Sequence, residues 1–416
     1  MEIASLLVLS FLPALVSMIL VQESKKKRFI IILNDSFASP LIQEDLKEER
    51  PEKPAQEYDD KMLLLLDQID EFAKGYGIEV ENKFIFSNIG FTAYLTNEEI
   101  RTLEKDSFVE NVEPDFQMQG RPIQQGRPIQ QGRPIQQSWN YDPTKKTSCA
   151  VNLVGGSVES ANPMKWIWIL DSGVDKNHPD LNVETRFAKS FVDGEPDATV
   201  DGTGHGTHCA GIAAGKAANQ SPDGYGMNGV SKFAKVVPLK VLDRCGEGYW
   251  SDLLLAFDYL ARNAIKGDVV MISLGEYDVD NCASNRNVIP AIRRLARRGS
   301  YIVMSAGNDF GDANRNLPGC FHSSNPRVFT VAALDFDCKN GYGNFASYSN
   351  SGIPPVDWVA PGTAVFSTFP DATYEVMSGT SMACALVAGI IHAKAAPPAI
   401  DGSITFQGNS YNIPRV

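Results

Sequence analysis

A series of short apolar runs constrains this fold most. Trp166 to Leu170 (WIWIL), Val236 to Leu242, Asp268 to Leu274, Tyr301 to Ser305 and Val328 to Ala333 carry apolar side chains at consecutive rather than alternate positions. A strand apolar on both faces needs cover on both faces. Helical stretches lie between these runs, at His205–Gly215, Ser251–Ala264 and Asn287–Arg298. Apolar strands alternating with helices predict an α/β domain, a mostly parallel sheet with helices on both faces. Ligands of such sheets bind beyond the carboxyl ends of the strands. Asp171, Ser273–Gly275 and Ala306–Asn308 fall at those ends.

A different pattern precedes this domain. Residues 28–116 read as one α+β unit: strand Arg28–Leu33, helix Met62–Lys74, strands Lys83–Phe86 and Phe91–Leu95, helix Asn97–Lys105, strand Phe108–Val112. That order, β-α-β-β-α-β, is the split ferredoxin-like arrangement. Thr96 and Glu99 have capping-box spacing at the start of the second helix. Residues 117–138 hold three tandem copies of Gly-Arg-Pro-Ile-Gln-Gln, from Gly120 to Gln137. Such a tract cannot bury a core and reads as an extended linker. Residues 139–416 form the α/β domain.

The chain opens with an apolar run, Ile3 to Val21, followed by Lys25, Lys26, Lys27 and Arg28. A signal peptide (residues 1–22) and a membrane anchor both fit that length. Pro13, Ser10 and Ser17 favour the signal peptide, with the membrane touched only transiently and the product secreted to the extracellular space. A net charge of -12 argues against nucleic acid as the partner, since phosphate binding needs clustered Lys and Arg.

Three glycine-punctuated turns each present polar chemistry: Asp171-Ser172-Gly173-Val174-Asp175, Gly204-His205-Gly206-Thr207-His208-Cys209-Ala210-Gly211, and Gly379-Thr380-Ser381-Met382-Ala383. A serine hydroxyl is a weak nucleophile. It needs a base in hydrogen-bond reach, and a carboxylate to hold that base in one tautomer. Ser381, His205 and Asp171 supply these parts. A zinc site at His205 and His208 lacks a third ligand and an HExxH pattern.

These motifs, in this order, resemble the subtilisin family, and GHGTHCAG is similar to its proteinase K branch. The likeness spans roughly Asp171 to Gly389. It implies a subtilisin-like three-layer domain and a serine endopeptidase working through an acyl-enzyme, with polypeptides as substrates. Catalytic roles pass to Asp171, His205 and Ser381, with His208 structural, and the oxyanion role passes to Asn308 of Ala306-Gly307-Asn308. Substrate backbone is expected against Ser273, Leu274 and Gly275, against the loop of Gly246 and Gly248, and beside Ala306 and Gly307. No cofactor is required for the chemistry. A structural calcium is compatible with the family, and Asp180 matches one of its ligand positions. The 28–116 unit resembles the family's inhibitor-like propeptide, implying a zymogen that processes itself, with the cut expected after Gln137 or close to it.

Three further expectations follow. Cys209 is a buried free thiol beside the site. Of the seven cysteines, Cys245 pairs with Cys282 and Cys320 with Cys338. Ala385 stands where the family has proline, which allows a small shift of the helix bearing Ser381 and raises peptide ligation as a rival reaction. A catalytically dead binding module is the rival from another class; the intact triad and Asn308 argue against it.

Overall fold

The computed structural model describes residues 26–39, 60–119, 124–125, 140–161, 163–218, 224–277, 282, 285 and 287–416. The apolar leader, most of the hexamer repeats and Gln137 lie outside them. No helix among the described residues is long and apolar enough to cross a membrane. The chain divides into two compact units, with the boundary after Phe116.

The first unit has a four-stranded antiparallel sheet in the order Asn82–Phe84, Ile89–Leu95, Lys27–Leu33, Val109–Pro114. Its helices are Asp60–Gly75 and Asn97–Leu103. Leu65 and Ile69, one turn apart, bury the inner face of the first helix in a core with Ile31, Phe91 and Ala93. Thr96 caps the second helix: the Glu99 N–H donates to Thr96 Oγ1 at 3.2 Å, and the Thr96 N–H to Glu99 Oε2 at 2.7 Å.

The second unit is built on a ten-stranded sheet. Its main path runs Lys189–Ser190, Lys235–Lys240, Trp166–Asp171, Val269–Ile272, Tyr301–Ser305, Val328–Asp337, Val356–Pro361, Asn409–Arg415, Ala399–Phe406. Pairing is parallel from the first of these strands to Asn409–Arg415. The Ala399–Phe406 hairpin partner and Gly341–Phe345 pair antiparallel. The apolar runs became central strands because both faces are covered: Ile167, Trp168, Val269, Val270, Val303 and Met304 are all fully buried. Helix His205–Ala214 is buried along its whole length, and helix Thr380–Lys394 from Thr380 to Ala393. The two pack against each other. A predominantly apolar helix with little one-sidedness is stable in the interior, with its few polar side chains hydrogen-bonded there.

After the Ser381 helix the chain forms the hairpin Ala399–Phe406 and Asn409–Arg415 on the sheet edge. One sequence expectation is corrected here. The expected disulfides are replaced by Cys149–Cys338 and Cys282–Cys320, with Cα separations of 5.4 and 5.9 Å. Cys245 is exposed and unbridged. Both observed pairs fall within the ~4.4–6.8 Å span a disulfide can bridge. Cys282 and Cys320 are each other's neighbours, so neither is left for Cys245 or Cys338. Cys149 starts a short helix, and Cys338 sits in the turn after Val328–Asp337.

Candidate active site

Asp171 ends the strand Trp166–Asp171, and His205 begins the helix His205–Ala214. Gly204, before the histidine, has φ +79°, and a Cβ there would strike the Phe369 ring at 2.0 Å. A Cβ on Gly206 would lie 2.0 Å from the Gly173 carbonyl oxygen. Both glycines therefore let the helix end come close enough for the imidazole to meet the carboxylate. His205 Nδ1 lies 2.8 Å from both Asp171 carboxylate oxygens. Asp171 Oδ1 also accepts from the Ser172 N–H at 2.7 Å. Neither side chain reaches solvent.

Burial alone would lower the His205 pKa. The charge and hydrogen bond of Asp171, with the charge of Asp201, more than offset it, and the net shift is upward. Asp201 is a residue that motif reading missed. It is buried and accepts from Gly204 N–H and Ser172 Oγ on one oxygen, and from Thr207 N–H and Oγ1 on the other. Its signal was present as Asp-Gly-Thr-Gly-His, an acid placed to fix the turn before the helix.

Ser381 is the second residue of helix Thr380–Lys394 and is nearly buried. Its hydroxyl donates to the Ser273 carbonyl at 3.1 Å. His205 Nε2 is buried and unpartnered among the described residues, so the Ser381–His205 hydrogen bond is not made in this structure. Cys209 Sγ, one turn after His205, lies 4.0 Å from the Ser381 carbonyl oxygen, which links the two helix starts. Ser381, Ser273, Leu274, Gly275, Gly307 and Asn308 line one cavity of about 370 Å³. Asn308 Oδ1 accepts from the Thr380 N–H and Oγ1, both at 2.9 Å, which fixes its amide beside the nucleophile. Ala306 is buried behind this wall, and its carbonyl accepts from Asn350 Nδ2 at 3.0 Å.

Gly246 and Gly248 lie away from that cavity. Gly246 turns the chain at φ +79°, and Gly248 is the middle of strand Glu247–Tyr249. That strand pairs antiparallel with Gln117–Gln119: Gly248 faces a fully buried Met118, and Tyr249 faces Gln117. Gln117 also lines the Ser381 cavity. Further on, Gln124 and Gln125 pair antiparallel with Ser378 and Met377 of strand Thr373–Ser378, just before Ser381.

The profile of the subtilase family matches residues 166–397. The chain belongs to the subtilase family. It is a serine-type endopeptidase of the subtilisin-like kind. Thermitase of Thermoactinomyces vulgaris is 34% identical over 224 residues, 54% of this chain and 72% of that protein. The cuticle-degrading protease of Metarhizium anisopliae is 30% identical over 307 residues, 72% of this chain and 69% of its own. A solved cold-adapted subtilisin-like serine proteinase is 26% identical, with a TM-score of 0.48, over 61% of this chain and 84% of its own.

The remaining polar groups of this subtilase are structural ties. His208 Nε2 lies 3.1 Å from the Val365 carbonyl oxygen and 3.2 Å from that of Glu375, as a donor to both. Burial, then the charge of His205, lowers its pKa to about 3, so it stays neutral. Asp180 does not fit the calcium role: its carboxylate accepts from the Ala218 N–H at 2.6 Å, the Met227 N–H at 2.7 Å and the Tyr374 hydroxyl at 2.7 Å. Those donors occupy three of the about four acceptor positions of the carboxylate, which leaves little for a cation. Cys209 and Cys384 are buried free thiols, the first raised well above its ordinary pKa and the second to about 12, both chiefly by burial. Neither is a thiolate nucleophile.

Proposed function

We propose that Asp171, His205 and Ser381 act as a catalytic triad in a secreted, self-processing peptidase. The observation that carries this is the buried contact of His205 Nδ1 with both Asp171 oxygens, which leaves Nε2 as the only ring nitrogen for a base. Ser381 rotates from the Ser273 carbonyl to His205 Nε2 and gives up its proton as Oγ attacks the peptide carbonyl. The oxyanion accepts hydrogen bonds from Asn308 Nδ2 and the Ser381 N–H. His205 then passes the proton to the leaving amine, which departs and leaves the acyl-enzyme. Water, deprotonated by the same imidazole, releases the acid and restores Ser381. Asp171 stays ionised throughout and stabilises the imidazolium.

The pairing of Gln117–Gln119 with Glu247–Tyr249 supports self-processing, because an extended chain added as a strand is how a peptide substrate binds. The pairings fall at the start of the repeats, which favours an early cut over one after Gln137. Ser273, Leu274, Gly275 and Gly307 would form the groove around the acyl group. We further propose that the 28–116 unit is the inhibitory propeptide. A fluorophosphonate should label the secreted protein but not its Ser381→Ala variant. N-terminal sequencing should find a start between residues 119 and 124. Labelling that survives Ser381→Ala would refute the triad.

A further inference from the structure

Glu375 is an acid that the mechanism above does not use. It is 1% exposed, and neither carboxylate oxygen has a hydrogen-bond partner among the described residues. Its backbone is engaged, accepting from His208 Nε2 and pairing with Ser367 on strand Val365–Phe369. A buried carboxylate without a partner is costly, and it is relieved only by protonation or by a cation brought to it.

Its strand supplies the route for such a cation. Thr373–Ser378 has the Val365–Phe369 strand on one edge and the segment Gln124–Gln125 on the other. The pairs on that outer edge are Ser378↔Gln124 and Met377↔Gln125. Directly opposed residues of an antiparallel pair send their side chains to the same face, with Cβ atoms about 4.5–5.5 Å apart. An extended peptide that keeps this register therefore presents to Glu375 the residue two positions beyond the one opposite Met377. Gln117, at the Ser381 cavity, precedes Gln124 in the chain, so this position lies on the leaving-group side. In this sequence the residue two beyond Gln125 is Arg127, itself outside the described residues, and arginine recurs every six residues at 121, 127 and 133.

We propose that Glu375 forms an anionic subsite on the leaving-group side of the groove, which takes a guanidinium or ammonium side chain of the bound peptide. The inference rests on the triad reading. A charge-assisted pair with a buried carboxylate exceeds a neutral hydrogen bond in strength and favours arginine's planar fork.

The test uses internally quenched peptides with the sequence of residues 117–131, carrying Arg, Lys, citrulline or Glu at the position of residue 127. The secreted protein should cleave the Arg peptide about tenfold faster in kcat/KM than the citrulline peptide, which has the same shape without the charge. Glu375→Gln should cut the citrulline peptide as the parent does and lose the preference. Glu375→Arg should favour the Glu peptide, a readout that damage to folding cannot mimic. Hydrolysis of a small activated ester reports Ser381 without this subsite. Ester hydrolysis with equal rates on Arg and citrulline peptides overturns the inference and leaves the triad standing. A preference retained in Glu375→Gln also overturns it. Failure of the parent on ester and peptides together removes the triad reading, and this inference with it.

Discussion

Replacing Asp171 by Asn tests the catalytic geometry closely, because the structure dictates how the amide must sit. Asp171 Oδ1 accepts from the Ser172 N–H at 2.7 Å. That position must keep an oxygen, since an amide NH2 there would confront a backbone donor. The NH2 of the asparagine therefore takes the place of Oδ2, 2.8 Å from His205 Nδ1. Where Nδ1 accepts from that NH2, the ring proton moves to Nε2 and the base that Ser381 needs is gone; where Nδ1 keeps its proton for the amide oxygen at Oδ1, also 2.8 Å away, the charge that stabilises the imidazolium is still lost. A comparable tautomer reversal in another serine protease lowers kcat by ~10⁴, or about 5.4 kcal/mol of transition-state stabilisation. The same substitution removes the charge that holds the His205 pKa up, while its burial remains. In the parent, kcat/KM should rise with pH with a midpoint above 6.5, because the neutral imidazole is required and its pKa is raised. In Asp171→Asn that midpoint should move down. Steady-state kinetics from pH 5 to 9 read both effects, and unchanged near-UV circular dichroism confirms the fold. A variant within tenfold of the parent, or a rising limb that does not move, would refute the orienting role of Asp171.

Three other outcomes are expected. Asn308→Ala should lose about 100–1,000-fold in kcat with little change in KM, as for removal of one oxyanion donor; a mainly KM effect would place Asn308 in binding instead. Cys209→Ala should keep its turnover and lose sensitivity to bulky mercurials, measured by residual activity after treatment; abolished turnover would make the thiol part of the chemistry. Cys338→Ser opens a loop with a sequence separation of 189 and should lower stability by on the order of 5 kcal/mol in the chain-entropy account, seen as a lower melting temperature under non-reducing conditions.

What could be read from the sequence was set by burial pattern and local chemistry. The WIWIL run reads as a two-face-buried strand because its side chains leave no polar face to solvent, and Trp166–Asp171 is such a strand. The Thr96–Glu99 box marks a real helix start because both of its hydrogen bonds are local. Cysteine pairing is not local: Cys149 and Cys338 meet only once a helix and a distant β-turn are placed by the core. The last hairpin carries a local signal, Gly408 between two runs of strand character. Glu375 shows a different limit. Alternation along TYEVMS would place a glutamate toward water, yet this strand is paired on both edges and buried, and only the structure shows the acid inside.

The Ala385 substitution follows the same division between local signal and tertiary constraint. From sequence, loss of a proline near the start of the Ser381 helix suggested a shifted nucleophile. The helix start is fixed before residue 385 is reached. The Gly379 N–H donates to the Gly362 carbonyl at 2.9 Å, and the Gly307 N–H to Thr380 Oγ1 at 3.2 Å. Thr380 in turn donates twice to Asn308 Oδ1. These bonds join the nucleophile's turn directly to the oxyanion residue, so Ser381 and Asn308 move together or not at all. Ala385 itself is fully buried in an unbroken helix, where alanine is a better helix former than proline. The position of Ser381 thus depends on Thr380 rather than on residue 385, and nothing at Ala385 favours an amine over water as the acceptor of the acyl group.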